Sequence, residues 1–282
     1  DPRQWKNKLF TDTNSVNAFY KLNSYNKLSL IPAPETCGDA NDGIVSVTIS
    51  ATVPADNYAS QEAAAALVAV KAAASCVNWA SFDTNGDGMI KSSELLLIML
   101  FPGTEGAEGC LSTVGCRQTW AHSGGLGFVS NTLYLSSAVY YAEMGSCSCT
   151  VLNNVGTIIH ETGHVLGLPD MYDTSGAFPG NTAYEYWSLM IAGNWCKPNA
   201  CNLDPWSRIY LGWAKPPVIP AGTSSAMTLT PLGTSETTDI VQLRQEANAV
   251  PWIWYSKTVP RGEFFLVERR EKIGMFDAGA PG

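Results

Sequence analysis

The sequence has few charged residues, few basic residues and no long hydrophobic run, and each shortage excludes a class of protein. Only 15% of the 282 residues are charged, against 45% hydrophobic, which is typical of a compact globular protein and excludes a disordered one. Lys and Arg number 17 against 25 Asp and Glu, giving a formal charge of −8. With no basic run, a nucleic-acid partner is not expected. No apolar run reaches about 18 residues, so no membrane span is expected either.

The cysteine count indicates an oxidising compartment. The chain has eight cysteines, an even number, and disulfides persist in exported proteins. Two pairs that are close in sequence are expected to bond locally: Cys110 with Cys116, and Cys196 with Cys201. The other four would then pair among themselves: Cys37, Cys76, Cys147 and Cys149. The chain begins at Asp1 without a methionine or an apolar leader, so we expect a mature secreted protein whose signal peptide or pro-segment has been removed.

Apolar patterning predicts an α+β fold with a β-rich C-terminal part. Helices are predicted over 60–75, over 150–167, and from Asp204, where an N-cap residue is followed by proline. Strands are predicted at 27–35, 42–50, 94–101 (or a helix end passing into a strand), 132–143, 224–232, 239–245, 252–257 and 262–270. A glycine-rich loop is predicted over 102–132 and a linker over 215–222. These breaks divide the chain into residues 1–215 and a C-terminal part, 216–282.

The segment "HETGH" is the strongest chemical signal in the chain. It places His160 and His164 one helical turn apart on the same face, a spacing that suits one zinc ion. Glu161 would point to a neighbouring face, where it can take a proton from a water molecule. An amphipathic helix whose histidines only form hydrogen bonds is the alternative interpretation. The downstream residues argue against that alternative.

Gly167 and Asp170 extend the pattern into a catalytic one. Glycine accepts the left-handed backbone that ends a helix, so the chain can turn back and bring Asp170 to the metal as a third ligand. Three protein ligands leave a position open for water, as in catalytic zinc sites. The spacing matches the metzincin pattern with Asp in place of the third His. Asp173 lies close enough in sequence to compete for this role, so the choice stays open.

Met190 and His122 are two further candidates for a place near the zinc motif. Met190, in "YWSLMIAGNW", is predicted to form the methionine-containing turn beneath the imidazoles of a metzincin-like fold. The alternative is an ordinary core methionine. His122, the third histidine, is expected to be a structural or cleft-lining residue and not a ligand.

A twelve-residue stretch, 83–94, matches the EF-hand calcium loop. Its predicted ligands are Asp83, Asn85, Asp87, the carbonyl of Met89, and a bidentate Glu94. A sharp turn is expected at Gly88, and Lys91 would lie over a water molecule. No second such loop occurs in the sequence, so a structural calcium ion is expected and not a paired sensor. A turn that binds no ion is the alternative.

The sequence resembles the immune-inhibitor-A-like family of secreted bacterial metalloproteases. The likeness rests on "DTNGDGMIKSSELLLIML", "TWAHSGG", "HETGHVLGLPDMYD", "WSLMIAGNW", "DPWSRIYLGWAKP" and "GEFFLVERREKIGMFDAGAPG". The resemblance implies a zinc endopeptidase that is made with a pro-segment and exported. Members usually continue past "DAGAPG", so the resemblance implies that the C-terminal part is incomplete. Ala192 stands where some metzincins have an oxyanion-stabilising tyrosine; Tyr172, Tyr184 or Tyr186 could serve instead.

The sequence therefore predicts a secreted, monomeric zinc endopeptidase. It would bind one catalytic zinc and at least one structural calcium, and would act on protein or peptide substrates. Two alternatives remain open at this point. The protein could be a non-catalytic, metal-bound surface or adhesion module, or a protease of narrow specificity that cuts host glycoproteins or its own precursor.

Overall fold

The computed structural model describes residues 1–50, 59–106, 118–145, 151–173, 175, 183–244, 264–272 and 274–281. It has a mixed α/β architecture built from small mixed sheets. The chain forms two compact units: Asp1–Val16 with Ile31–Pro169, and Asn17–Leu30 with Asp170–Gly282. The predicted division into residues 1–215 and 216–282 stays a prediction. Among the described residues, no helix combines the length and the apolar character needed to cross a bilayer.

The helices are short except for one. They are α1 (Pro2–Lys6), α2 (Val16–Asn23), α3 (Ala59–Ala72), α4 (Gly156–Val165) and α5 (Pro205–Tyr210). The predicted alanine-rich helix is confirmed as α3, because alanine has the highest helix propensity and nothing in the stretch interrupts it. The predicted helix start at Asp204 is also confirmed, since its Oδ1 accepts a hydrogen bond from the backbone N–H of Ser207 at 3.0 Å.

The first unit contains two sheets. Their strands are β1 (Met89–Ile90), β2 (Ile98–Glu105), β3 (Gln118–Thr119), β4 (His122–Gly124), β5 (Gly127–Phe128), β6 (Tyr134–Leu135) and β7 (Ala138–Met144). The larger sheet has the order β3-β2-β7-β4, with β2 parallel to both neighbours and β4 antiparallel to β7. The smaller has the order β1-β6-β5. Helix α3 packs its alanine and valine face on the larger sheet, through Phe101 and Tyr140.

The second unit has one sheet, ordered β10-β9-β8, from β8 (Val218–Pro220), β9 (Ile240–Arg244) and β10 (Phe264–Glu268). Its core includes a fully buried Arg208, which forms ion pairs with Asp239 and Glu268. Removing any one of the three would leave buried charge uncompensated, an arrangement that typically costs several kcal/mol.

Several predicted elements differ in the structure. Residues 27–35 and 42–50 form no strand; Pro32 and Pro34 lack backbone N–H groups, and the N–H of Leu30 donates to the side chain of Asn17 at 2.9 Å. No strand forms at 224–232 either. The predicted linker instead contains β8, which pairs in parallel with β9. The predicted loop over 102–132 instead contains the end of β2, up to Glu105, and the strands β3, β4 and β5.

Four strand predictions are confirmed, and one falls on residues that the structure does not describe. Residues 132–143 form the two strands β6 and β7, and the apolar run at 94–101 becomes the central strand β2 from Ile98 onward. The predictions at 239–245 and 262–270 are confirmed as β9 and β10. The predicted strand at 252–257 lies outside the described residues.

Two disulfides lie among the described residues. Cys196 bonds to Cys201, as predicted from their proximity, and Cys37 bonds to Cys76, with Cα–Cα distances of 5.4 Å in both. The Cys37–Cys76 bond joins the N-terminal segment to the chain just after α3. The other predicted cysteine pairings fall on residues that the structure does not describe: Cys110, Cys116, Cys147 and Cys149.

Candidate metal centre

Helix α4 carries the paired histidines and begins later than predicted. Its first residue is Gly156, whose N–H donates to Oδ1 of Asn154 at 2.8 Å. That side chain satisfies one of the N–H groups that the first turn of a helix leaves without a partner. The predicted start at 150 was wrong because the residues just before α4 pair with the end of β7: Gly145 N–H donates to Val151 O at 2.9 Å.

The end of α4 is the one predicted. Val165 is the last helical residue, and Gly167 adopts a positive φ of +100°. The chain turns there while its N–H groups still bond to the helix: Gly167 to His164 O at 2.9 Å, and Leu168 to Gly163 O at 3.0 Å. Glycine is suited to this position because an L side chain is strained at such a φ.

The two imidazoles and the intervening glutamate form one compact group of potential metal ligands. The potential ligand atoms of His160, Glu161 and His164 all lie within 4.8 Å of one another. The two rings are 4.8 Å apart between centroids and nearly perpendicular, at 87°. His160 is 6% exposed and Glu161 7% exposed. His164 is half-buried, so the group lies at the edge of the interior, where a ligand from solvent can reach it.

The orientation of His164 is fixed by the chain that follows the helix. Its Nδ1 lies 2.8 Å from the carbonyl oxygen of Leu168. A carbonyl only accepts hydrogen bonds, so Nδ1 carries the proton and Nε2 carries the lone pair. This backbone contact is the kind that orients metal-binding histidines. Leu168 is within reach only because the helix stops at Gly167, so the helix end determines the tautomer.

The donor set fits a zinc ion. Neutral imidazole nitrogens and carboxylates are zinc ligands, and two imidazoles from one helix can share an ion. With Nδ1 of His164 occupied by the Leu168 carbonyl, Nε2 is the nitrogen left for a metal. Helix α4 packs against β4 and β7, and the hydroxyl of Tyr141 on β7 donates to Asn154 O at 2.8 Å. The sheet therefore supports the helix at the turn where it begins.

The two acids that could supply a third ligand lie in different surroundings. Asp170 is exposed and is the first residue of the second unit. The next residue is anchored, since the N–H of Met171 donates to the carbonyl of Met190 at 2.9 Å. Asp173 forms a local turn in which its Oδ1 accepts from the N–H and hydroxyl of Ser175, at 2.8 and 2.6 Å. The assignment of Asp170 as the third ligand stays a prediction.

Met190 lies in a tight, buried turn. The side chain is 0% exposed, and the turn closes through Gly193, whose N–H donates to Ser188 O at 2.9 Å. A Cβ at Gly193 would lie 2.6 Å from that oxygen, so only glycine fits there. The Ser188 hydroxyl donates to Oδ2 of Asp204 at 2.7 Å, which joins the Met190 turn to the N-cap of α5.

The tyrosines considered for oxyanion stabilisation are not equivalent. Tyr172 is 44% exposed. Tyr186 is half-buried and packs against the Cys196–Cys201 disulfide. The side chain of Tyr184 lies outside the description. Tyr172 is thus the better placed of the two described side chains to meet a ligand from solvent.

The predicted calcium loop has the backbone turn of an EF-hand loop. Gly88, at the sixth position, has a φ of +80°. The first-position carboxylate accepts from the N–H groups of Asp87 and Gly88, at 3.1 and 2.9 Å from Asp83. The carboxylate of Asp87 also pairs with Lys91, and this hydrogen bond holds the pKa of the Asp87 carboxyl below its usual range.

Glu94 closes the loop from its other end. Its Oε1 accepts from the N–H and hydroxyl of Thr84, at 2.9 and 2.7 Å, and its Oε2 accepts from the N–H of Lys91 at 3.1 Å. The flanks are not those of a helix–loop–helix unit, because a short 3₁₀ turn (Trp79–Phe82) precedes the loop and β2 follows it. Within the loop, β1 pairs with β6 instead of with a second loop.

The structure also shows residues that the sequence did not single out. The Leu168 carbonyl orients His164, and the Asn154 side chain accepts from the first N–H of α4. Contacts of this kind produce no recognisable sequence motif. Glu62 lies against His122, with 3.6 Å between Oε2 and Nδ1. A sequence signal for Glu62 did exist, because it is the single acid in an alanine-rich helix. His122 is stacked on Tyr140 in the sheet.

Comparison with known proteins assigns the family. Residues 55–210 match the model of the catalytic domain of immune inhibitor A peptidase M6, which is more than half of the chain. The chain belongs to the immune inhibitor A peptidase M6 family. Both the predicted family and the predicted class of enzyme, a metallopeptidase, are thereby confirmed.

Individual relatives are similar over a shorter stretch. The chain is 29% identical over 122 residues to "Pre-pro-metalloprotease PrtV" of Vibrio cholerae serotype O1 (strain M66-2). It is 30% identical over 122 residues to "Immune inhibitor A" of Bacillus thuringiensis subsp. alesti. Each alignment covers 40% of this chain, but only 13% and 18% of the respective relative.

Proposed function

We propose that the protein is a secreted zinc endopeptidase in which Glu161 is the general base. The observation that carries this proposal is the His160–Glu161–His164 group on α4, of which the first two residues are buried and His164 is half-buried, with the tautomer of His164 fixed by the Leu168 carbonyl. The match to the catalytic domain of a peptidase family supports it. The names of the metalloprotease relatives support a metal-dependent reaction.

His160 and His164 would hold the metal through ring nitrogens, and Asp170 would complete the set. A bound zinc ion would polarise the scissile carbonyl and make water more acidic. Glu161 would accept a proton from the attacking water and deliver it to the amine that leaves. The position of Glu161 supports this role, because its carboxylate lies within 4.8 Å of the potential ligand nitrogens of both histidines.

Met190 and the second ion belong to the same proposal. The buried turn at Met190 supports the metzincin interpretation, since its carbonyl anchors the backbone one residue after Asp170. The loop at 83–94 would bind a structural calcium ion, with Asp83 and Glu94 exchanging their present backbone contacts for the cation. Proteins or peptides would be the substrates. Secretion is supported by the two disulfides among the described residues.

The third ligand can be tested separately from the family assignment. Asp170→Asn and Asp173→Asn differ from each other only in position, so they form a matched pair. We expect Asp170→Asn to weaken zinc retention during dialysis and to reduce cleavage of an unstructured protein substrate such as casein. Asp173→Asn should leave both unchanged. The reverse order would assign the third ligand to Asp173.

A further inference from the structure

Glu62, near the start of α3, is a buried acid with incomplete hydrogen bonding. It is 1% exposed, and its Oε2 lies 3.6 Å from Nδ1 of His122. Its Oε1 accepts no hydrogen bond from the described residues. Burial raises the pKa of the Glu62 carboxyl, and the nearby His122 partly opposes this. Such a carboxyl needs either a proton of its own or a positive neighbour.

His122 is held on two sides. Its ring stacks on Tyr140, with centroids 4.5 Å apart and planes 1° from parallel. Its Nδ1 lies 2.9 Å from the carbonyl of Trp120, which can only accept, so Nδ1 carries a proton. The side chain is 24% exposed, so solvent reaches the ring without unfolding.

In the part of the chain that the structure describes, two tyrosines are the ionisable groups nearest this pair. Tyr140, on β7, donates its hydroxyl to Gly125 O at 3.0 Å, and burial raises its pKa to about 12. Tyr134 is the other ionisable group that acts on Tyr140. The Tyr140 phenol is therefore neutral near pH 7 and carries no charge that could compensate Glu62.

Helix α4 also packs against β4, but on the other face of the sheet. Neighbouring residues of a strand point to opposite faces. Tyr140 points toward His122, and Tyr141 reaches Asn154, just before α4. The titratable side chains of α4 are those of the candidate metal centre: His160, Glu161 and His164. Glu62 and His122 are thus paired with each other on the α3 face.

We propose that Glu62 and His122 form an ion pair that clamps edge strand β4 to helix α3, which makes His122 a positioning residue for the reaction at α4. A carboxylate beside an imidazolium has no net charge, so the pairing offsets the cost of burying Glu62. Losing the proton of the pair at higher pH leaves a buried carboxylate uncompensated. Because β4 pairs with β7 and packs against α4, release of β4 disturbs the helix that carries the metal-binding histidines.

Three variants test the clamp. Glu62→Gln keeps the shape and removes the charge. His122→Asn keeps an N–H donor for Trp120 O but cannot take up the second proton. The double variant pairs two neutral amides. We expect the wild-type thermal midpoint to fall toward alkaline pH in a one-proton step, and Glu62→Gln to lack that step.

The double variant supplies the decisive readout. His122→Asn should lower the midpoint near pH 7, because Glu62 is then buried without a positive neighbour. Adding Glu62→Gln should restore at least about 3 °C of the loss and recover kcat/KM in parallel. Loss of packing alone would make the double variant no better than His122→Asn. If His122→Asn does not fold alone, folding of the double variant is the same rescue.

The link to activity rests on the proposed peptidase function, so the two are separated by design. The thermal series is repeated in the Glu161→Ala background, where catalysis is not measured. One outcome would separate the two proposals. If Glu161→Ala shows the one-proton step, the Glu62→Gln variant in that background lacks it, and the wild type cleaves no substrate, the clamp is supported and the peptidase proposal is contradicted. Identical pH dependence of wild type and Glu62→Gln, or no rescue by the double variant, overturns the clamp.

Discussion

Replacing Asp204 by alanine should be among the most destabilising single changes in the second unit, because three hydrogen bonds converge on one carboxylate. Its Oδ1 accepts from the N–H of Ser207 at 3.0 Å. Its Oδ2 accepts from the hydroxyls of Ser188 and Ser207, both at 2.7 Å. The two serines are 4% and 0% exposed, so water cannot replace the lost acceptor without opening the structure.

The magnitude follows from these contacts. Loss of an N-cap costs about 1 kcal/mol, and each hydrogen bond to a charged acceptor is worth about 1.5 kcal/mol. The three bonds share one group and are not additive, so we expect Asp204→Ala to reduce the free energy of unfolding by about 3 kcal/mol. Ser188→Ala is the matched control, with an expected loss of about 1 kcal/mol.

Equilibrium urea unfolding, with disulfides intact, measures both variants. The Asp204→Ala midpoint should fall well below that of Ser188→Ala, with an unchanged dependence on urea. A loss for Asp204→Ala no larger than that for Ser188→Ala would show that the carboxylate does not connect the Met190 turn to α5. In that case the shared-acceptor reasoning is wrong.

Three further predictions concern the helix end, the methionine turn and the calcium loop. Gly167→Val, at a φ of +100°, should lower stability by about 1–2 kcal/mol relative to wild type, and an equal midpoint in thermal unfolding would contradict the strained turn. Gly193→Ala places a Cβ 2.6 Å from Ser188 O and should cost about 2 kcal/mol or more, whereas Gly125→Ala, whose Cβ would meet no atom closer than 3.6 Å, serves as the control for a lost glycine. Calcium should raise the thermal midpoint of wild type but not of Asp83→Ala; an equal rise in both would remove calcium from that loop.

Local features of the fold were predictable from the sequence, and features that need a distant partner were not. Helix α3 and the N-cap at Asp204 depend on residues within one or two turns, so composition and spacing were sufficient. Strand β8 could not be foreseen. Pro217 precedes it and Pro220 is its last residue, a composition typical of a linker, and its ladder partner in β9 lies more than 20 residues away. Residues 42–50 show the opposite case, because their alternating pattern predicts a strand but has no ladder partner among the described residues.

The candidate metal centre shows the same difference between local features, which were predictable, and features that depend on other parts of the fold. The spacing of His160 and His164, together with Gly167, predicted one helix face and its end. The spacing alone did not reveal what orients His164, because the acceptor is a backbone carbonyl. The pairing of Glu62 with His122 joins residues 60 positions apart, and only the packing of α3 on the sheet brings them together.

The most direct test of the central claim is zinc content and peptide cleavage in wild type and Glu161→Ala, measured on the same preparations. The account predicts one zinc per chain in both proteins and the same thermal midpoint. Cleavage by Glu161→Ala should fall by about 10²–10⁴-fold, the usual contribution of a general base. Cleavage by Glu161→Ala at the wild-type rate, with zinc retained, would contradict the assignment of Glu161 as the base.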